Sequence, residues 1–272
     1  MVGPGSAHSP RPARAVGFSR RLSEPTEPVE PSEAAPARPP RWGLGDALAG
    51  ILVGIVLSSI AAGIWLDATG QKELSLSGRA VGQLGLWVGL AGAAILASRL
   101  KGARSLAIDF GFSIRSMDIL PGVLAGLFCQ VVLVRLIALV LQPVLGRPDV
   151  SGPTKQLVQD ADGVGLVGLG IFITFVVIGA PIVEELFFRG LVLRSIQRRL
   201  GPLWAICLSG ALFGLAHLQD LPGDALALAM ISLAAVGVVF AILAVRTGRL
   251  GAPMVAHFTF NLYTVVVLLS AK

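Results

Sequence analysis

Apolar runs dominate the chain from Asp46 onward, separated by short polar interruptions. A run of about 20 apolar residues is what a helix needs to cross the hydrocarbon core of a bilayer. The first run extends from about Asp46 to Leu66, the second from Arg79 to Ala97, and the third, which contains Arg135, from Asp118 to Leu141. The fourth starts near Val164 and continues into the stretch Pro181–Leu200. A short fifth covers Leu203–His217, a sixth Ala225–Val245 and a seventh Ala252–Leu269. The pattern predicts an all-α fold, a polytopic transmembrane bundle of about 7–8 helices. Asp109–Phe112, ahead of the third run, reads as a short interfacial segment.

Residues 1–41 break the pattern. They hold nine of the 17 prolines, with Glu-Pro recurring at Glu24-Pro25, Glu27-Pro28 and Glu30-Pro31, and no long apolar run. This is the composition of a disordered, partly polyproline tail, without the apolar core of a signal peptide. His8 lies in it and receives no role. The chain therefore divides into a Pro-rich tail (1–41), N-terminal transmembrane helices (42–163) and a C-terminal core (164–272) that carries the candidate chemistry.

Composition agrees with a membrane protein. Hydrophobic residues make up 54% and charged ones 14%, against roughly a quarter charged in soluble domains. The net charge of +6 does not point to nucleic acid, because the basic residues sit in the tail and in short loops. Arginines precede the first run, and basic clusters follow the second (Arg99, Lys101, Arg104, Arg115), the fourth (Arg194, Arg198, Arg199) and the sixth (Arg246, Arg249). The alternate loops are mixed or acidic. By the positive-inside rule this predicts a multi-pass protein of the cell membrane with a cytoplasmic N-terminus, and the lipid bilayer as its first partner. Cys129 and Cys207 both fall in apolar runs and form no disulfide framework.

Ionisable groups inside apolar runs are costly and usually functional. Three short patterns hold them here: Glu184-Glu185-x-x-x-Arg189, Phe213-x-x-x-His217 and His257-x-x-x-Asn261. Residues four apart share a helical face, so Arg189 can pair with Glu185 and Asn261 can orient His257. Phe213, one turn from His217, can wall the site. Glu184 and His217 are 33 positions apart, and their midpoint falls at Leu200-Gly201-Pro202. An antiparallel hairpin turning there sets them level, each about 24 Å from a tip that protrudes with Arg198 and Arg199. His257 lies six residues past Gly251, about 10 Å into the membrane from the basic side. The three helices are therefore expected to meet in the cytoplasmic part of the bilayer.

Burial and a like-charged neighbour tune a carboxylate to exchange protons near neutral pH. One reading has Glu184 and His217 activating water, with His257 and Asn261 stabilising the oxyanion. Another has His217 and His257, with a carboxylate, holding a divalent metal, zinc first, whose bound water attacks a carbonyl. Residue type alone does not choose between them. Taken singly, a Glu–Arg pair or an Asn in a helix is ordinary packing.

In this order on successive apolar helices, the three motifs resemble the CPBP family, the CAAX protease and bacteriocin-processing, or Abi, intramembrane proteases. The resemblance covers about Val164 to Leu269. It implies a membrane-embedded endopeptidase, commonly labelled a metalloprotease, that cuts a peptide or protein substrate, prenylated or bacteriocin-like. By motif match Glu184 would be the main catalytic carboxylate, flanked by Glu185 and Arg189, with His217, His257 and Asn261 completing the site. A non-catalytic membrane binding or immunity protein of the same fold is the alternative. Transport or proton relay is disfavoured by the lack of inverted repeats.

Overall fold

The computed structural model describes residues 40–217, 221 and 223–270, together with residues 1–3 and 5. Nearly all of the Pro-rich tail thus lies outside the described residues, as do residues 218–220 and 222 of the loop before α8. The described chain is helical, with no strand among its residues: α1 (Leu44–Thr69), α2 (Leu76–Lys101), the short α3 (Leu106–Phe110), α4 (Ser116–Leu145), α5 (Gly152–Gly163), α6 (residues 166–200), α7 (residues 202–216), α8 (Gly223–Thr247) and α9 (Gly251–Ser270). The expected all-α bundle is what forms, and α3 overlaps the segment Asp109–Phe112 at Asp109 and Phe110.

Among the described residues, six helical stretches are long and apolar enough to cross a membrane. One of them, Leu166–Ala216, has 51 residues and reverses at Gly201, which gives the separate arms α6 and α7. Gly201 adopts φ 82° and ψ 174°, a region essentially closed to residues with a Cβ, and Pro202 then opens α7 with its missing N–H at a position that has no ladder partner. Large apolar side chains on the outside of the bundle, such as Leu48, Leu52, Ile55 and Ile64 of α1, are exposed as a lipid-facing surface would be. Helices α1 and α2 pack through small residues: a Cβ on Gly89 would collide with the Gly54 backbone. Arg135 is exposed on α4.

The basic loops gather at one end of the bundle. Arg41 donates its N–H to the Lys101 carbonyl at 2.8 Å, and Leu250 donates to the Gly111 carbonyl at 2.8 Å. Arg194 donates to the Gly248 carbonyl at 2.7 Å, and Arg249 pairs with Asp118 at 2.6 Å. The tip of the α6–α7 hairpin is exposed at Arg198, Arg199 and Leu200, and Arg198 tethers it to the lead-in of α1. Arg198 donates to the carbonyls of Pro40 and Trp42, and its guanidinium lies 3.7 Å from the Trp42 ring centroid. A planar guanidinium can serve both carbonyls and an aromatic face.

Asp109, at the end of α3, anchors this layer. It accepts from Trp42 Nε1 at 3.2 Å, from Ser98 Oγ at 2.6 Å and from the Ala103 N–H at 3.0 Å. Burial pushes its carboxyl up, but these donors outweigh burial and hold it below the usual aspartate range. A depressed folded value contributes stability that is present above the unfolded value and lost as pH falls through the folded one. Asp109→Asn is therefore expected to destabilise the detergent-solubilised protein by about 1–3 kcal/mol at neutral pH. The gap between the thermal midpoints of wild type and variant should narrow below about pH 4; a gap that stays constant into acid would contradict the assignment.

Candidate active site

The three motifs meet, and α6 determines how. Its ladder widens into π-helix over Ile173–Gly179 and again over Glu185–Val192, with Pro181 between the two segments. Adjacent residues then diverge less around the axis, and Glu184 and Glu185 both turn inward toward different partners.

Glu185 and Arg189 are fully buried and pair at 2.9 Å. Arg189 also donates to the Gly237 carbonyl of α8 at 3.1 Å, and its guanidinium sits 4.3 Å from the Phe213 ring centroid and 5.3 Å from that of Phe240. The same Glu185 oxygen lies 2.9 Å from His257 Nδ1. Because that carboxylate is paired to Arg189, we assign Nδ1 as the protonated nitrogen of His257, donating to Glu185. His257 Nε2 is thereby left facing Glu184, 4.0 Å from its Oε2.

His217 reaches the same carboxylate from the other side. It caps the C-terminus of α7 in a non-helical conformation. Its Nδ1 lies 2.7 Å from the Phe213 carbonyl, which can only accept, so Nδ1 carries the proton here too. Its Nε2 stands 3.5 Å from Glu184 Oε2. That oxygen is buried and makes no hydrogen bond with the described residues. The hairpin does set Glu184 beside His217, and Phe213 fills the space between the imidazoles, its ring centroid 4.5 Å from His217 and 5.7 Å from His257.

Asn261 does not orient His257 as its spacing suggested. Its Nδ2 donates to the Val176 carbonyl on α6 at 2.7 Å. The π-turn explains this choice. The Ala180 N–H bonds the Phe175 carbonyl, and Pro181 has no N–H, so the Val176 carbonyl lacks a ladder donor. Asn261 supplies one from α9, and Glu185 takes over the orienting of His257. The amide of Asn261 keeps a second N–H, and the residue lines the cavity.

That cavity, of about 520 Å³, is bordered by Glu184, His217 and His257 and walled by Trp87, phenylalanines and aliphatic side chains. Trp87 and Gln83 of α2 contribute to it. No sequence motif marked α2, although Gln83 is an uncharged polar side chain within an apolar run and is the signal that was there to read. The two Nε2 atoms and Glu184 form a donor set whose chemistry suits zinc. Among the described residues, however, no group of three or more His, Cys, Asp or Glu is arranged to hold a metal ion. We derive no step through a metal.

Residues 167–263 match the family model described as type II CAAX prenyl endopeptidase Rce1-like. Over this segment, about a third of the chain, the sequence is similar to that family. The segment contains all three motifs, so the resemblance carried by Glu184-Glu185-x-x-x-Arg189, Phe213-x-x-x-His217 and His257-x-x-x-Asn261 is borne out. The match does not extend to α1, α2 or α4, so Trp87 and Gln83 line the cavity from outside the matched segment. No curated protein and no solved structure matches the chain.

The Glu185–Arg189 pair yields a stability test. Arg189→Met strands a buried carboxylate and is expected to cost about 3–5 kcal/mol, seen as a lower thermal midpoint in detergent. Adding Glu185→Gln removes the stranded charge and should recover part of that loss. A double variant less stable than Arg189→Met would contradict the pairing.

Proposed function

We propose that this protein is an intramembrane endopeptidase of the CAAX-protease type, and that Glu184 is its general base. One observation carries the reading: a buried carboxylate oxygen without a hydrogen-bond partner faces the Nε2 atoms of two histidines at the wall of an apolar cavity. The Rce1-like match over the same segment supports peptide-bond hydrolysis.

In this mechanism a substrate water on the cavity side of Glu184 Oε2 and His217 Nε2 donates to both and loses a proton to Glu184 as it attacks the scissile carbonyl. The proton then passes from Glu184 to the leaving amine as the carbon–nitrogen bond breaks. The developing oxyanion is met by the second N–H of Asn261. Glu185 and Arg189 are positioning residues. Glu185 orients His257 by accepting from its Nδ1, and Arg189 holds Glu185 in place. The basic end of the bundle, with the N-terminus, faces the cytoplasm of the cell membrane.

Glu184→Gln and His217→Ala are each expected to lower cleavage by roughly 10²–10⁴-fold while leaving membrane insertion intact. Comparing peptide termini between cells that carry wild type and Glu184→Gln would identify the substrate through its accumulated uncleaved form. Unchanged termini in either variant would defeat the proposed roles. Restoration by zinc after chelator treatment would assign a metal to the two histidines.

A further inference from the structure

The cavity at Glu184 runs in one direction. Along α2 its lining passes from Trp87 through Gln83 to Arg79, about 12 Å toward the start of that helix, whereas the basic end is at Lys101. Along α6 it passes from Glu184 back to Ile171, near the first residue of the helix. Along α9 it continues past His257 to Thr264, away from the basic turn at Gly251. Three helices thus lead the cavity from the glutamate layer to the end of the bundle opposite the basic loops. There the short helix α5 borders it with Thr154, and Arg79 lies half exposed, 3.8 Å from Asp160.

The other direction is closed. Between Glu184 and the basic end stand Glu185, Phe187, Arg189 and Leu191 of α6 and Phe110 of α3, all with no exposed surface. No residue of the α2–α4 connection, the hairpin tip or the α8–α9 turn lines the cavity. Water and a peptide backbone therefore have an approach from one side and a packed ionic and aromatic layer on the other.

We propose that the candidate site opens to the extracytoplasmic side and takes a peptide segment presented there. The proposal rests on the endopeptidase reading for the nature of the substrate, and on the concentration of Arg and Lys at the closed end for the sidedness. The depth expected from Gly251 to His257 is retained, but the opening lies on the side opposite to a cytoplasmic approach. Apolar walls of Trp87 and the phenylalanines would suit a hydrophobic segment, and the polar mouth at Arg79, Gln83 and Thr154 would receive its backbone and flanking polar groups.

Cysteine labelling of the full chain in intact cells tests this. Cys207 is exposed and is first replaced by Ser, while Cys129 is buried. Gln83→Cys and Thr154→Cys report on the mouth, and Arg199→Cys and Arg246→Cys on the basic end. A membrane-impermeant maleimide is expected to label the mouth cysteines in intact cells, and the basic-end cysteines only after permeabilisation. Mouth cysteines that label only after permeabilisation would overturn the proposal and favour a cytoplasmic tail as substrate. Mouth cysteines that stay unlabelled even in detergent would overturn the open channel itself. Glu184→Gln in the same background should abolish cleavage and leave labelling unchanged. Cleavage that survives Glu184→Gln defeats the catalytic role but not the assigned opening.

Discussion

A carboxylate with no access to water organises the centre of this protein. Glu185 is fully buried and accepts from Arg189 and from His257 through a single oxygen. A charge removed from solvent is tolerated only when it is paired and hydrogen-bonded, so each partner is obliged to stay. Arg189 in turn ties α6 to the Gly237 carbonyl of α8 and lies against Phe213 and Phe240. His257 brings in α9. Three helices are thus fixed around one ion pair, and Glu184 is left as the carboxylate facing the cavity.

The second constraint is the irregular ladder of α6. A regular α-helix through this region would need a donor from residue 181, and proline has none. The π-turns absorb the mismatch and turn two adjacent glutamates inward, and the unpaired Val176 carbonyl draws Asn261 across from α9. Such irregular backbone persists in a membrane only where other groups satisfy it. One proline therefore links the shape of the site to the placement of a candidate oxyanion donor.

Polarity also separates the two ends of the bundle. Asp109, Trp42 and Arg198 join the lead-in to α1, the loop after α2 and the hairpin tip into one packed layer. The basic loops gather in that layer, and the buried residues Phe110, Phe187, Arg189 and Leu191 stand between it and Glu184.

Much of this was legible in the chain itself. Hydropathy marked every membrane helix, because crossing the bilayer requires about 20 apolar residues in a row. Gly201 and Pro202 marked the reversal, and the numbering alone set Glu184 against His217, because helical rise is uniform. Partner choice was decided only in three dimensions. Asn261 bonds Val176, Glu185 orients His257, Arg198 docks on Trp42, and Gln83 and Trp87 line a cavity with which no motif connects them. Spacing along one helix reports which residues share a face, whereas a hydrogen bond between helices depends on rotation, tilt and local ladder slips. Those quantities are settled only when the helices pack against one another.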